Sequence, residues 1–292
     1  MFENIISNTS KTIVGNVEKI KLTIAAIISE GSILIEDYPG SGKTTFAKSI
    51  TLSLGLNFKR IQFTSDLLPS DVLGYNILSD DKLKFQKGPI FTNIVLADEL
   101  NRGSPKAQSA FLEAMEEKNV TIDGESYNLP EPFFVIATQN PMDTSGTSSL
   151  PDSQLDRFMV SYSLSDLDQK NKILMLKKNI SFSNSASEEI NWSQINDKKN
   201  EITVKDEIYE YVVDIEQTIK ALEQNIYISA RCMKQIIDLA KGWAIVHDKE
   251  YVSHQDIKDT LPYILRHRIK FLNQVDKVGY INREILEKIN IG

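Results

Sequence analysis

Ser32-Ile-Leu-Ile-Glu-Asp-Tyr-Pro-Gly-Ser-Gly-Lys-Thr-Thr45 is the stretch that decides the fold, because an apolar run typical of a buried strand leads into a glycine-rich turn ending in Gly-Lys-Thr. In such a strand-loop-helix unit, successive backbone N–H groups surround phosphate oxygens. Lys43 is then expected to reach the β and γ phosphates, and the hydroxyl of Thr44 to bind Mg²⁺. The stretch therefore predicts a site for a nucleotide phosphate chain.

One position departs from the strict pattern G-x-x-x-x-G-K-[ST], because Asp37 stands where the pattern has glycine. Gly40 and Gly42 fit it, since they let the backbone approach a ligand where a Cβ would clash. Apolar residues at helical spacing follow the loop, as the motif requires. The alternative is a chance Gly-Ser turn before a helix with a surface lysine, but the agreement of strand, turn and helix favours nucleotide binding.

Composition excludes several classes of protein. At 292 residues, 41% hydrophobic and 25% charged, the chain has room for one large and one smaller globular domain. The formal net charge of -7 gives no general attraction to nucleic acid or anionic lipid. DNA or RNA is therefore disfavoured as the main partner, although a small basic patch in a ring pore would escape this test.

The sequence also bears on compartment and metal chemistry. Cys232 is the only cysteine, which excludes an intramolecular disulfide and a cysteine-based zinc site and fits a reducing cytoplasm. His247, His254 and His267 lack the spacing of a metal site. The N-terminus has no basic segment followed by an apolar one, and no run reaches the roughly 18 apolar residues of a membrane span. We expect a cytoplasmic protein without membrane insertion.

Strand and helix patterns alternate through the first half of the chain. Helical spacing covers residues 16–30, where Gly31 is the expected stop, and Ser104 with Pro105 begins another helix. Further strands are expected at residues 57–63, 93–97, 133–137 and 155–163, and inserted hairpins at 74–86 and 120–129. This alternation predicts a three-layer αβα sandwich around a parallel sheet.

From Ser165 onward the strand pattern is lost and helical patterns dominate. Helices are expected at residues 168–178, 205–222, 229–246, 253–265 and 281–289, with an exposed loop at 181–200 that is rich in Ser, Asn and Lys. The sequence thus predicts a nucleotide-binding αβα core at residues 1–164 and a smaller, all-helical domain at residues 165–292.

Two acidic residues, Asp98 and Glu99, follow the apolar run Asn93-Ile-Val-Leu-Ala97. The carboxyl ends of strands are where α/β sheets bind ligands. Asp98 is predicted to hold the Mg²⁺ shell, and Glu99 to orient and polarise an attacking water as general base. A lone Asp-Glu pair is also typical of a solvated strand end, but the position after a buried strand and behind a phosphate loop favours the catalytic role.

Asn140 follows the apolar strand that starts at Phe133. Its neutral amide is predicted to hold the attacking water or the γ phosphate. Asn-Pro is also a common turn, which leaves a purely conformational role as the alternative.

Taken together, these motifs identify a family resemblance that covers nearly the whole chain. The chain resembles the MoxR family of AAA+ ATPases, whose phosphate loops often carry Asp at the position of Asp37. The matching segments are Val14-Gly15, Leu34 to Thr44, Gln62 to Asp71, Leu96 to Arg102, Ala137 to Pro141, Leu155 to Phe158, Ser229 to Arg231 and Leu265 to Arg268. The inserted hairpin at residues 74–86 falls where this family carries an insertion.

The resemblance implies roles for individual residues. Lys43 and Thr44 match Walker A, Asp98 and Glu99 match Walker B, Asn140 matches sensor 1, Arg157 the arginine finger and Arg231 sensor 2. ATP is then bound by Val14, Gly40, Ser41, Gly42, Lys43, Thr44, Thr45 and Asp98, with Val14 in the adenine pocket and Mg²⁺ on Thr44 and Asp98. Alternatively, Arg157 makes a structural salt bridge and Arg231 lies on the surface at a helix start. Arg102 stays open as a contact to the next subunit.

An arginine finger acts on the nucleotide of the neighbouring subunit, so the resemblance implies a homo-oligomeric ring, usually a hexamer. It also implies ATP hydrolysis that drives chaperone-like remodelling or maturation of protein complexes, with a von Willebrand factor A domain protein as partner. Alternatives are a P-loop kinase, a nucleic-acid motor or loader, and a nucleotide switch without hydrolysis. The Leu-Asp-Arg-Phe segment argues against the first, the acidic charge against the second and the complete catalytic set against the third.

Overall fold

A computed structural model describes residues 2–79, 81–140, 150–165, 167–177, 190–222, 228–269 and 277–288. The strands are β1 (Ile33–Glu36), β2 (Phe58–Gln62), β3 (Gly74–Ser79), β4 (Lys82–Lys87), β5 (Ile94–Asp98), β6 (Asn119–Ile122), β7 (Glu125–Asn128), β8 (Phe134–Gln139) and β9 (Val160–Tyr162). The helices of the first two thirds of the chain are α1 (Phe2–Thr12), α2 (Val17–Ile28), α3 (Lys43–Ser53), α4 (Pro69–Leu73), α5 (Pro105–Glu117), α6 (Asp152–Leu155) and α7 (Gln169–Lys177). They continue as α8 (Trp192–Glu201), α9 (Asp206–Ala221), α10 (Ala230–Val246), α11 (His254–Leu265) and α12 (Lys277–Tyr280).

The predicted sheet is confirmed, with strand order β2-β5-β8-β1-β9. Strand β5 pairs in parallel with β2 on one side and β8 on the other. All residues of β5 are buried, and so are Phe134 to Thr138 of β8, which explains why these strands are apolar without alternation. The parallel arrangement brings the strand ends that carry Asp98 and Gln139 to the same edge of the sheet.

Both predicted hairpins form as separate two-stranded sheets, β3-β4 and β6-β7. In the second hairpin, Asp123 and Gly124 have φ angles of 51° and 87°, as a type I′ turn requires. The stacked rings of Phe85 and Tyr127, whose centroids lie 4.1 Å apart, connect the two hairpins.

Contacts within the chain group its residues into two compact units that alternate along the sequence. The first unit comprises Met1–Val17, Leu34–Leu150 and Ser163–Ile190, and the second comprises Glu18–Ile33, Pro151–Tyr162 and Asn191–Gly292. The division at residue 164 remains a prediction made from the sequence.

Helices α2, α10 and α11 supply much of the core of the second unit. Gly242 of α10 lies so close to α2 that an added Cβ would be 2.3 Å from the carbonyl oxygen of Ala25. The hydroxyl of Ser29 donates to the carbonyl oxygen of Asp238 at 2.7 Å and ties the same two helices together. Glycine is required here by close helix packing.

The structure corrects three local expectations. A loop was expected at residues 181–200, and its part up to residue 189 lies outside the described residues. For the remaining residues the prediction is wrong, because α8 begins at Trp192 with the side chain of Asn191 as N-cap. The strand expected at residues 155–163 is confined to β9, since Leu155 ends α6. Finally, α2 ends at Ile28, and the left-handed residue that follows it is Glu30, at φ 58°, rather than Gly31. Gly31 is required for space instead, because an added Cβ would be 2.5 Å from Sδ of Met159.

Helix α1 was not expected from the sequence; its residues Phe2, Ile5 and Thr9 are buried. The last expected helix, at residues 281–289, forms as α12 followed by a π-helical stretch, Ile281–Leu286, and residue 289 lies outside the described residues. Across the described parts of the chain, no helix combines the length and apolarity that crossing a bilayer requires.

Candidate active site

The phosphate loop connects β1 to α3 in the first unit. Gly40 and Gly42 have φ angles of 80° and 85°, in the left-handed region that glycine adopts most readily. An added Cβ at either position would meet no atom of the described residues within 4 Å. Backbone conformation, rather than crowding by the protein, therefore selects glycine, and the space beside the loop is open.

Helix α3 starts at this loop without a side-chain N-cap, since Gly42 occupies the cap position. Its first backbone hydrogen bond runs from the N–H of Phe46 to the carbonyl oxygen of Gly42 at 2.8 Å. The N–H groups of Lys43, Thr44 and Thr45 precede this bond and belong to the helix end that attracts anions. The loop thus has the donors that a phosphate group needs.

Lys43 is already oriented over the loop. Its Nζ donates to the carbonyl oxygens of Asp37 at 3.1 Å and Tyr38 at 2.7 Å, and to the hydroxyl of Ser41 at 3.4 Å. These are neutral acceptors, so the positive charge is not cancelled by a carboxylate in these contacts. The ammonium group is held where an incoming phosphate oxygen competes only with dipoles.

Asp98 lies at the carboxyl end of β5, with its side chain 10% exposed. The hydroxyl of Thr138 donates to its Oδ1 at 2.6 Å. Arg60 donates to its Oδ2 through Nε at 2.9 Å and Nη2 at 2.6 Å. Both carboxylate oxygens are thereby oriented, one from β8 and the other from β2.

Glu99 directly follows β5 and adopts a left-handed backbone conformation, with φ 54° and ψ 47°. Its N–H donates to the hydroxyl of Thr138 at 2.9 Å, and its Oε2 accepts from Nε2 of Gln62 at 2.8 Å. A non-glycine residue in this conformation is strained by roughly 1–3 kcal/mol, and such residues concentrate at functional sites. The turn separates the two neighbouring acids, so that each meets different partners.

Sequence reasoning missed the residues that organise this acidic pair. Thr138 bonds to both acids, while Arg60 and Gln62 bond to one acid each and to one another, Nη2 to Oε1, at 2.5 Å. The available signal was the alternation of β2: residues two apart share a face, and the register pairs Gln62 with Asp98. Arg60 and Gln62, two polar residues on one face of the edge strand β2, were thus the signal that this strand contributes to the site.

Asn140 comes directly after β8, the strand that pairs with β5. The preceding residue, Gln139, donates from Nε2 to Oε1 of Glu36 at 2.7 Å, and its carbonyl oxygen accepts from the N–H of Asp37 at 3.1 Å. The end of β8 is therefore bonded to the start of the phosphate loop. The structure brings the predicted sensor position next to the predicted phosphate site.

Val14 lines a pocket beside the phosphate loop, within the first unit. The loop side of this pocket consists of Ser41, Gly42 and Thr45. Its other walls are mostly apolar and include Ile13, Phe46, Leu164, Leu167 and Met175. An apolar pocket that continues from a phosphate loop has the character of a site for a nucleobase.

Arg157 and Arg231, the two predicted arginines, both belong to the second unit. Arg157 follows α6, and Arg231 is in the first turn of α10, where the hydroxyl of Ser229 accepts from the N–H of Cys232 at 3.0 Å. The same hydroxyl donates to Oδ2 of Asp156 at 2.8 Å. A hydrogen bond therefore connects the two segments that carry these arginines.

Asp156 also meets a buried cation, Arg268. Nε of Arg268 donates to Oδ1 of Asp156 at 3.1 Å, and its Nη2 donates to the carbonyl oxygen of Phe158 at 3.1 Å and to Oε1 of Gln235 at 2.7 Å. The Leu-Asp-Arg-Phe, Ser-Ala-Arg and Leu-Arg-His-Arg motifs of the sequence therefore meet in one polar cluster of the second unit.

Among the described residues, no group of three or more His, Cys, Asp or Glu side chains is arranged to hold a metal ion. The hydroxyl of Thr44 and the carboxylate of Asp98 are oxygen ligands of the kind Mg²⁺ prefers, and Mg²⁺ commonly takes its other ligands from phosphates and water. The donor set therefore fits a cation that arrives with the nucleotide.

Comparison with known proteins agrees with this geometry. Residues 32–160 match the model of the ATPase family associated with various cellular activities (AAA), and residues 216–289 match that of the AAA lid domain. A crystal structure from Cytophaga hutchinsonii, assigned as an ATPase, superposes with a TM-score of 0.87 at 33% identity and covers 100% of this chain and 94% of its own.

Two curated relatives align along most of the chain. The Bacillus subtilis protein YeaC is 37% identical over 98% of this chain and 93% of its own length. Chaperone MoxR1 of Mycobacterium tuberculosis is 31% identical over 91% of this chain and 75% of its own. Proteins named MoxR from Methylorubrum extorquens and Paracoccus denitrificans match about half of the chain, at 28% and 27% identity. The chain belongs to the MoxR family of AAA+ ATPases.

Proposed function

We propose that this ATPase hydrolyses ATP with Glu99 as general base and uses the cycle to remodel or mature partner protein complexes as a homo-oligomeric ring. The observation that carries the proposal is the arrangement of Asp98 and Glu99 around the single hydroxyl of Thr138, at the same sheet edge as the phosphate loop. Binding alone does not require two oriented acids. Hydrolysis requires one to support the cation and one to activate water.

The loop residues Gly40, Ser41, Gly42, Lys43, Thr44 and Thr45 bind the phosphates in this proposal, and Val14 contacts the base. Lys43 exchanges its carbonyl partners for phosphate oxygens, which strengthens its hydrogen bonds because the new acceptors are charged. Mg²⁺, when bound through Thr44 and Asp98, supplies positive charge that offsets the charge of the phosphates. Arg60 donates two hydrogen bonds to Oδ2 of Asp98 and thereby keeps this carboxylate oriented as a ligand.

Glu99 takes the proton of the attacking water, and Asn140 orients that water or the γ phosphate. The hydrogen bond from Gln62 fixes one oxygen of the Glu99 carboxylate at 2.8 Å. The amide of Gln62 is a neutral donor, so it orients this oxygen without bringing a full positive charge of its own to the base. Arg102 forms an ion pair with the same carboxylate, Nη1 to Oε2, that is long at 3.7 Å, and 47% of the arginine side chain is exposed.

Arg157 and Arg231 complete the site in the assembled ring. Arg157 places a fixed guanidinium against the charge that develops on the γ phosphate of the neighbouring subunit, and Arg231 contacts the nucleotide of its own subunit. A hexamer is the expected assembly by family. The Asp156–Ser229 hydrogen bond supports the pairing of these roles, because it connects the segments that carry both arginines.

The relative MoxR1 is named a chaperone, and we extend that role to this chain as remodelling of protein complexes. A von Willebrand factor A domain protein is the partner we propose, on the family resemblance. The net charge of -7 supports a protein client over nucleic acid. Cys232, a buried thiol whose pKa burial raises to about 11, fits a protein of the cytoplasm without redox chemistry of its own.

The test is Glu99→Gln, which keeps the shape of the side chain and removes its basicity. We expect ATP binding to persist while turnover falls by about 10²–10⁴-fold, the usual contribution of a general base. Glu113→Gln, an exposed change on α5, is the matched control and should leave turnover unaltered. Wild-type turnover in Glu99→Gln would refute the assignment.

The same Glu99→Gln variant tests the client. Affinity capture with ATP-loaded Glu99→Gln should recover a von Willebrand factor A domain protein in excess over the Glu113→Gln control. Stimulation of wild-type turnover by DNA at physiological salt, without recovery of such a protein, would instead favour a nucleic-acid motor.

A further inference from the structure

Asp37 occupies the position where the strict phosphate-loop pattern has glycine, and its surroundings explain the exchange. The φ angle of Asp37 is not positive, so the backbone conformation at this position does not require glycine. Its side chain lies in the interior, with the residue 1% exposed. An ionisable group at that depth needs several partners to remain charged.

The carboxylate of Asp37 accepts four hydrogen bonds, all from neutral donors. Oδ1 accepts from the N–H of Tyr38 at 2.9 Å and from the hydroxyl of Ser165 at 2.5 Å. Oδ2 accepts from the N–H groups of Leu164 at 2.8 Å and Ser165 at 3.0 Å. Burial raises the pKa of this carboxyl, but the hydrogen bonds outweigh it and hold the pKa below the ordinary 3.8.

The main chain of Asp37 is equally engaged. Its carbonyl oxygen accepts from Nζ of Lys43 at 3.1 Å, and its N–H donates to the carbonyl oxygen of Gln139, next to Asn140, at 3.1 Å. One residue therefore touches the phosphate-binding lysine, the end of β8 and, through its side chain, the segment 164–165.

That segment forms part of the pocket beside the loop. Leu164 lines the pocket together with Val14 and Ser41. Nδ2 of Asn16, another lining residue, donates to the carbonyl oxygens of Val14 at 3.3 Å and Leu164 at 3.4 Å. A path of hydrogen bonds thus runs from Asp37 to Leu164, on to Asn16 and back to Val14, and joins opposite walls of the pocket.

We propose that Asp37 is a positioning residue that couples the two halves of the nucleotide site, so that the base pocket is formed only while the phosphate loop holds it. This inference rests on the proposed nucleotide site. On this proposal, the Asp37 carboxylate determines how much the adenosine part of the nucleotide contributes to the binding free energy. Restoring the standard motif should therefore impair recognition.

The experiment compares ADP with inorganic pyrophosphate, which share the diphosphate and differ by adenosine, in calorimetric titrations with Mg²⁺. Wild-type protein should bind ADP more tightly than pyrophosphate. Asp37→Gly, which completes the strict motif, should reduce that ratio by about tenfold, because a hydrogen-bonded charge orienting one pocket wall is lost. A general weakening of the loop would instead lower the affinity for both ligands equally and leave the ratio unchanged, which would overturn the inference.

Two further variants keep the test decisive. Asp71→Asn removes another carboxylate that accepts a backbone N–H, that of Leu68, outside the pocket, and should preserve the ratio. Ser165→Ala removes a single donor to Asp37 and should lower the ratio less than Asp37→Gly does. Where Asp37→Gly fails to fold, the ratio in Ser165→Ala decides, and a wild-type ratio there refutes the coupling. Equal binding of ADP and pyrophosphate by the wild-type protein would refute the base pocket itself, and the coupling with it.

Discussion

Each of the two units contains a carboxylate paired with an arginine at a motif of the family, and the two pairs differ in burial. In the first unit, Arg60 meets Asp98 at 2.6 Å with 48% of the arginine side chain exposed. In the second, Arg268 meets Asp156 at 3.1 Å with 4% exposed. Both distances are those of an ion pair, but the arginine is half-exposed in the first pair and buried in the second.

The difference separates a working carboxylate from a structural one. Water can replace Arg60 at low cost, so Asp98 remains free to exchange partners when nucleotide and cation arrive. Arg268 is buried and surrounded by the oxygens of Asp156, Phe158 and Gln235, so its charge depends on these acceptors rather than on water. A carboxylate in a family motif therefore serves either catalysis or the stability of the fold, and the burial of its arginine partner distinguishes the two.

The largest effect should come from breaking the buried pair. Arg268→Met removes the cation and its hydrogen bonds to the side chains of Asp156 and Gln235 and to the carbonyl oxygens of Asp156, Phe158 and Ile264. We expect a loss of about 3–5 kcal/mol in the free energy of unfolding. Urea titration measures this loss.

Arg60→Met is the matched control, since it removes the half-exposed arginine that pairs with Asp98. Its cost should be about 0–1 kcal/mol. Equal costs for the two variants would abolish the distinction between the pairs.

A smaller effect is expected from Thr138→Val, which keeps the side-chain shape but removes the hydroxyl shared by Asp98 and Glu99. The partly buried N–H of Glu99 then lacks this acceptor, and Oδ1 of Asp98 lacks this donor, at a cost of about 1–3 kcal/mol in unfolding free energy. Turnover should fall with ATP binding retained. Thr138→Ser retains the hydroxyl and should restore turnover; if Thr138→Val hydrolyses ATP as the wild type does, Thr138 does not position the acids.

The smallest expected effect is a pH dependence of the unfolding free energy that arises from His267 in the second unit. Burial lowers the pKa of His267 well below 6.5, and the charge of Arg268 lowers it further. The folded protein therefore keeps the ring neutral, with Nε2–H donating to the carbonyl oxygen of Phe158 at 3.1 Å. The unfolded chain takes up a proton as pH falls below about 6.5, so stability is lost in the acid direction, by up to ~1.4 kcal/mol per pH unit.

Unfolding free energies at pH 7.5 and 5.5 check this expectation, with His267→Gln as the comparison. Glutamine offers an N–H donor but does not titrate, so the variant should lose less stability between these pH values. Identical pH dependence in both proteins would show that His267 is not the group responsible. Arg266 and Lys277, which also disfavour the charged ring, are unchanged in this comparison.

Local patterns predicted most elements of the first unit. The apolar run before Asp98, the Ser104-Pro105 helix start and the Asp123-Gly124 turn each carry their signal within a few residues, and β5, α5 and the β6-β7 hairpin form as expected. Helix α8 escaped prediction because its composition is polar; its main signals are the Asn191 cap and the single buried Ile195. Such a helix depends on tertiary contacts more than on propensity.

The site residues also divide into those marked by local motifs and those that depend on tertiary contacts. Lys43, Thr44, Asp98 and Glu99 are marked by short motifs whose chemistry is local. Thr138, Arg60 and Gln62 act across strands, and their partners lie 37–40 positions away along the chain. Only the strand order β2-β5-β8 brings them together.

The sequence by itself determined three things: the phosphate loop, the buried strand that ends in two acids, and membership of an ATPase family. Each of them is recognised from short motifs whose residues are neighbours along the chain. Only the tertiary structure decided which distant groups the Asp37 side chain contacts. Three of the four hydrogen bonds to its carboxylate come from Leu164 and Ser165, which are 127 and 128 positions away. Hydrogen bonds depend on distance in space, and folding creates that proximity.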